Sequence, residues 1–178
     1  MSGFLESARA FDERVDKWIE PRRSPGLDRL FYGLSSAADH GLLWHAIGVG
    51  RAIRRREPRY ALRFSTALGV ESGLTNGLVK SAFRRIRPQE HFLHDEPLPY
   101  RMRRPITSSF PSGHAATAFM CATVLSRHNR AGPVWFSFAA LVAASRVYTR
   151  MHHVSDVLAG TALGLALGRV AAPVIEGA

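Results

Sequence analysis

The chain has 178 residues, 46% of them hydrophobic and 21% charged, and a formal net charge of +10. That length and balance predict one domain with its own core and exclude a repeat array or a low-complexity tract. A single cysteine, Cys121, excludes an intrachain disulfide, and only Lys17 and Lys80 among the 24 basic residues are lysines, so the excess charge is arginine suited to an anionic partner: a lipid head group, a phosphorylated substrate or nucleic acid.

From Phe4, apolar residues recur at Leu5, Ala8, Phe11, Val15, Trp18 and Ile19 with charged residues between them, which predicts an amphipathic helix ending before Pro21. Charges throughout, with no apolar centre, exclude a signal peptide. Such a helix lies along a membrane surface with Trp18 at the interface, or it packs on the protein's own core. We set residues 1–27 apart as an N-terminal amphipathic interfacial helix and treat 28–178 as the main domain.

Five stretches rich in Leu, Ala, Val, Phe and Gly follow, at 30–49, 61–79, 112–125, 133–147 and 154–174. None offers the roughly 18 uninterrupted apolar residues of a self-evident spanning helix. Their interruptions include Asp39, His40, Arg63, Glu71 and Asn76, which in a membrane bundle face the interior or the active site. Abundant Gly, Ala, Ser and Thr suit close helix packing. The expected fold is an all-α helical bundle, membrane-embedded, with about five spanning helices plus the N-terminal helix. A soluble helical bundle is the rival.

Lys80 and Arg87 are seven residues apart, so two helical turns would put both cations on one face before Pro88 stops the helix. A mobile ammonium and a planar guanidinium together suit a tetrahedral dianion. Taken alone, this stretch, which also holds Arg84 and Arg85, reads better as a solvated basic face. In the next loop His91, His94 and Asp95 form a conceivable metal set, but loop histidines beside Pro97 and Pro99 read better as exposed, and no metal is expected.

Ser108 and Ser109 precede Phe110, Pro111, Ser112, Gly113 and His114, and an Ala-rich helical pattern follows. This is a helix start, whose free N–H groups and dipole favour an anion and where Gly113 leaves room for a phosphate oxygen. His114 in the first turn can give a proton to a leaving oxygen. Cys121, within the apolar helix, reads as a small core residue. In the last cluster, from Ser145 and Arg146 to Asp156, the carboxylate is four residues from His152 and three from His153. Either imidazole can meet it on a helix, which would fix the tautomer and leave the other nitrogen nucleophilic.

Together these clusters resemble the three-part signature of the type 2 phosphatidic acid phosphatase and vanadium haloperoxidase superfamily. Its Lys, six residues, Arg-Pro falls on Lys80, Arg87 and Pro88; its Pro-Ser-Gly-His on Pro111, Ser112, Gly113 and His114. Its Ser-Arg, five residues, His, three residues, Asp falls on Ser145, Arg146, His152 and Asp156. The resemblance runs from about Asp28 to Gly168, and order and spacing agree throughout. It implies that His152, and not His153, attacks phosphorus to form a phosphohistidine, that Asp156 orients it, and that His114 protonates the leaving group. Lys80, Arg87, Ser112, Gly113 and Arg146 would hold the phosphate oxygens. Such electrostatic positioning demands no metal or other cofactor.

If all five stretches span, alternation puts the three motifs and the N-terminal helix on one face. The opposite face carries the loop 51–59, with Arg51, Arg54, Arg55, Arg56 and Arg59 against Glu57, and the turn with Arg127 and Arg130. Short positive loops stay inside, so a multi-pass protein of the cell membrane with an extracytoplasmic site is expected. Arg101, Arg103 and Arg104 on the active face run against that bias, but they suit an anionic substrate. The expected function is hydrolysis of a lipid phosphate: phosphatidate, phosphatidylglycerol phosphate, polyprenyl (di)phosphate or polyprenyl-linked sugar phosphate. No nucleic acid is expected as a partner. The alternatives are a vanadium-dependent haloperoxidase and, without catalysis, a basic membrane or nucleic-acid binding module using Arg54, Arg55 and Arg56.

Overall fold

In the computed structural model, residues 2–88 and 106–177 are described. Among them there are seven α-helices: α1 (Ser2–Ile19), α2 (Pro25–Ala37), α3 (Leu42–Arg55), α4 (Pro58–Ser72), α5 (Gly113–Ser126), α6 (Gly132–Tyr148) and α7 (Val154–Glu176). Pro21 follows α1 in a short 3-10 turn, and Ser24 caps α2 by accepting the Leu27 amide at 3.3 Å. Prolines at the first turns of α2, α4 and α6 cost no helical hydrogen bond there.

Helix α5 sits at the centre, with α7 and α6 packed along it. Three glycines four residues apart on α7 make its seam with α5. A β-carbon at Gly160 would lie 2.3 Å from the Ser112 carbonyl oxygen, one at Gly164 2.2 Å from that of Ala116, and one at Gly168 2.6 Å from Thr123 Cβ. Backbone meets backbone there, as small residues on packed helices allow. On the other side Gly48 of α3 admits the ring of Phe64 from α4, 2.4 Å from where its β-carbon would be. Trp44, Tyr60, Phe64, Met120, Leu125 and Ile175 fill the space between.

Two expectations change. The stretch 30–49 is not one helix: it breaks at Asp39–Gly41, where His40 (φ 56°) and Gly41 (φ 70°) take left-handed backbone that no α-helix contains. Helix α3 therefore has 14 residues, roughly 21 Å at 1.5 Å per residue. In contrast, α4 continues beyond Ser72 as a π-helix, Gly73–Val79, that delivers Lys80, a local widening often found beside functional groups. Among the described residues, α7 is the one helix long and apolar enough by itself to cross a membrane, with a mean hydropathy of 1.6 and 28% of its apolar window buried.

Beyond the apolar core, much apolar surface also stays on the outside of the bundle. Large apolar side chains point outward from several helices, among them Leu42, Ile53, Leu62, Leu78, Val134 and Val170, while Glu71, Lys80, Arg146 and Asp156 are inside. Glu71 accepts the Thr75 hydroxyl at 2.7 Å and the Thr117 hydroxyl at 2.6 Å, which satisfies its buried carboxylate. The other polar interruptions do not all turn inward: His40 and Asn76 are exposed, and so in part is Arg63. It lies half exposed at the far end of the bundle beside Glu57, 3.7 Å away.

Candidate active site

The chain reverses after α6, and that reversal builds the site. Arg150 is left-handed at φ 56°, and the amides of Met151 and His152 both donate to the Arg146 carbonyl at 3.0 Å. The imidazole of His152 is thereby carried inward to 2% exposure. Its Nδ1 is 2.7 Å from the Ser109 carbonyl oxygen and 3.6 Å from Asp156 Oδ2, and its Nε2 lies 3.3 Å from a guanidinium nitrogen of Arg87. A carbonyl can only accept, so Nδ1 carries the hydrogen and Nε2 presents a lone pair toward the Arg87 side. Burial first, and then the charges of Arg146 and Arg87, pull the His152 pKa down to about 3. The ring is therefore neutral and nucleophilic at any ordinary pH.

His153 turns the other way. It caps α7, giving its amide to Asp156 Oδ2 at 2.9 Å, while its Nε2 sits by the Ile86 carbonyl. Of the two imidazoles, that of His152 stands beside Asp156, 3.6 Å from Oδ2. Asp156 itself is fully buried and closer to Arg85, at 2.6 Å, than to either imidazole.

Arg85 corrects the sequence reading of a solvated basic face. One nitrogen donates to Ser155 Oγ at 2.7 Å and Asp156 Oδ1 at 2.6 Å, and the other to Asp12 Oδ2 of α1 at 2.6 Å. Nothing in the local pattern marks it, because these partners are 70 or more residues away. A second correction concerns Lys80 and Arg87, which do not share a helical face. Residues 83–88 are not helical. Ser108 Oγ accepts the Arg85 amide and the Ser109 amide donates to the Arg85 carbonyl at 2.9 Å, so this backbone pairs with the 108–109 segment instead.

The two cations still converge on one place. Lys80 is buried, and that burial, together with the charges of Arg87 and Arg146, pulls its pKa down to about 8. Three cations held this close leave a position that favours an anion. The start of α5 faces it. Ser112 Oγ accepts the Ala115 amide, the Ser112 amide donates to the Asp156 carbonyl at 3.0 Å, and Gly113 lies so near Asn76 that a β-carbon would fall 2.6 Å from its Oδ1. His114 Nε2 is 2.8 Å from Asp39 Oδ1, which is also 3.8 Å from Arg146, while Arg146 donates to Ser35 Oγ. Asp39, foreseen only as a polar interruption turned inward, is aimed here by the left-handed break after α2.

Among the described residues no cluster of three or more His, Cys, Asp or Glu could hold a metal ion. His91, His94 and Asp95, like Arg101, Arg103 and Arg104, lie outside the described residues.

The profile of the PAP2 superfamily matches residues 60–177, which take in the positions from Lys80 to Asp156. The chain belongs to the PAP2 superfamily. It is 34% identical over 114 residues to a lipid A 1-phosphatase of Porphyromonas gingivalis, an alignment covering 60% of this chain and 22% of that longer protein. It is 28% identical over 147 residues to decaprenylphosphoryl-5-phosphoribose phosphatase of Mycobacterium tuberculosis, 82% of this chain and 79% of that one. Its fold resembles a crystal structure of a transmembrane PAP2 type phosphatidylglycerolphosphate phosphatase from Bacillus subtilis, with a TM-score of 0.75, 27% identity, and coverage of 96% and 87% of the two chains. These relatives are all phosphatases by name.

Proposed function

We propose that this PAP2 protein hydrolyses a lipid phosphate through a phosphohistidine, without a metal. The observation that carries the reading is the state of His152: neutral, with Nδ1–H held by the Ser109 carbonyl and Nε2 directed to the side where Arg87 stands. Nε2 attacks phosphorus as the bond to the leaving oxygen breaks, and His114 delivers a proton to that oxygen. Asp156 offsets the positive charge then on the ring. Lys80, Arg87 and Arg146, with Ser112 and Gly113 at the start of α5, hold the other phosphate oxygens. A water then attacks phosphorus and gives its proton to His114, and the P–N bond breaks to return free His152 and inorganic phosphate.

A lipid substrate is supported by a cavity of about 440 Å³ beside Arg87, lined by Phe83, Arg84, Arg85, Ile86 and Ile106. It mixes cations for a head group with exposed apolar side chains for the start of a tail. Membrane embedding with several spanning helices is supported by the outward apolar side chains, by α7, and by the likeness to a transmembrane relative. In this reading the arginine end of the bundle is cytoplasmic, the site opens outside, and α1 lies at the interface with Trp18, 60% exposed, turned outward. The relatives act, by name, on lipid A, a decaprenyl phosphoribose phosphate and phosphatidylglycerol phosphate, so the phosphate and not the tail is what they share.

The test is phosphate release by purified protein in detergent from a panel of lipid and soluble phosphates, with and without chelator. Three cations supply the charge a metal would otherwise bring, so activity should survive chelation. Recovery of a chelated sample only on adding a divalent ion would end the metal-free mechanism. Bromide oxidation by peroxide in the vanadate-loaded protein, with no phosphate released, would favour the haloperoxidase alternative.

A further inference from the structure

Three acidic residues stand four apart, Asp12 and Asp16 on helix α1 and Glu20 just past its end, and all three pair with the rest of the protein. Asp16 and Glu20 pair with Arg150, and Asp12 pairs with Arg85. Asp12 is 3% exposed and fully engaged: Oδ1 accepts the Ser155 amide at 2.9 Å, and Oδ2 accepts the Ser155 hydroxyl at 2.7 Å and Arg85 at 2.6 Å. It therefore satisfies a free first-turn N–H of α7 from a helix more than 140 residues earlier in sequence. The other branch of Arg85 holds Oδ1 of Asp156, while the His153 amide holds Oδ2. Two donors on two oxygens fix the rotation of that carboxylate, and its Oδ2 is the oxygen turned to His152.

We propose that Asp12 and Arg85 are positioning residues for catalysis, a relay by which the N-terminal helix sets the Asp156–His152 pair. The proposal rests on the phosphatase reading. Asp156 is useful to His152 only if it stays ionised and correctly turned while the ring becomes cationic in the phosphohistidine. Arg85 secures both, and Asp12 keeps Arg85 from swinging away into the open cavity beside it. Neither residue belongs to the phosphate cage: the terminal nitrogens of Arg85 are held by Asp12, Ser155 and Asp156. Their loss should therefore slow turnover and leave the phosphate cage intact.

The experiment compares Asp12→Asn, Asp12→Glu, Arg85→Met, Arg85→Lys and, as a control, the exposed α1 variant Arg14→Met, in detergent-purified protein. Turnover of phosphatidate is measured alongside inhibition by orthovanadate, which reads the cage alone. Misplacement of a supporting group can cost about 100-fold, so Asp12→Asn and Arg85→Met should lower kcat by about 10- to 100-fold with KM and vanadate inhibition near wild type. Lysine cannot fork to two carboxylates, so Arg85→Lys should resemble Arg85→Met; Asp12→Glu should recover part of the rate. The double variant Asp12→Asn with Arg85→Met should be little worse than either single one. Unchanged kcat in Asp12→Asn would overturn the relay, as would an equal loss of kcat and vanadate affinity, which marks a merely structural latch. If wild type releases phosphate from no substrate, it is the phosphatase reading that falls. The relay is then decided by the nitrogen chemical shifts of the His152 imidazole, which move in Asp12→Asn if it is right and stay put if it is wrong.

Discussion

His152 and His153 are neighbours with opposite surroundings because the left-handed Arg150 and the doubled hydrogen bond to the Arg146 carbonyl send one ring inward and leave the other at the head of α7. Replacing His152 by Ala should abolish turnover, since the covalent route goes with it. His153→Ala should keep substantial activity, and Asp156→Asn should fall between them. A dead His153→Ala beside an active His152→Ala, by phosphate release, would reverse the assignment. Lys80 makes a second residue-level prediction. With a pKa held near 8, it loses its charge as pH rises through that value, so orthovanadate inhibition should weaken between roughly pH 7 and 9, and Lys80→Met should flatten that profile. The sign for stability is opposite. A folded pKa below the ordinary 10.5 means the charged form burdens the fold fully below about 8, and the burden fades as pH climbs from there toward 10.5. The family resemblance, more than residue spacing alone, singled out Lys80, Arg87, Ser112, Gly113, His114, Arg146, His152 and Asp156 as candidates. Arg85, Asp12 and the pairing of Asp39 with His114 were not legible, because each depends on contacts between segments far apart in the chain and none has a local period.

At the scale of elements, the start of α2, where Ser24 precedes Pro25, was passed over, while that of α5, at Ser112 before Gly113, was readable. The break at Asp39–Gly41 was not, since a lone glycine inside an apolar run is often carried by a helix and His40 in left-handed backbone has no composition signal. The helix expected through Lys80 and Arg87 failed for a related reason. Ser108 and Ser109, more than 20 residues on, compete for its backbone groups. The seam of α5 and α7 makes the firmest element-level prediction. A β-carbon at Gly164 would fall 2.2 Å from the Ala116 carbonyl oxygen, so Gly164→Ala should destabilise by about 1–3 kcal/mol through overpacking. Thermal unfolding in detergent checks it. Gly50, whose β-carbon would meet nothing within 4 Å, is the control, and Gly50→Ala should be neutral or slightly stabilising.

For the whole molecule, charge is arranged along the bundle. At the end away from the site, Arg51 donates to the Leu125 carbonyl at 2.8 Å and pairs with Glu176 at 3.2 Å, and Arg55 pairs with Glu176 at 2.6 Å. This ties α3, α5 and α7 together beneath the exposed Arg54 and Arg56. With that end in the cytoplasm, a cysteine placed at Arg54 in the cysteine-free Cys121→Ala background should resist an impermeant thiol reagent in intact cells. One at Arg84, on the active-site side, should react. The reverse pattern would turn the protein over in the membrane.

Under the proposed function, the glycine seam bears on selectivity as well. The proposed proton donor His114 stands in the first turn of α5, and the proposed nucleophile His152 stands two residues before α7. These are the two helices whose backbones meet at Gly160 and Gly164. Neither helix can slide past the other without collision, so the interval between donor and nucleophile is a constant of the molecule. Every ester must fit its P–O bond to the same ruler. Discrimination among lipids then has to arise outside that interval, where Phe83, Ile86 and Ile106 meet whatever is attached to the phosphate, and changing those three side chains should exchange one tail for another while the chemistry stays as it was.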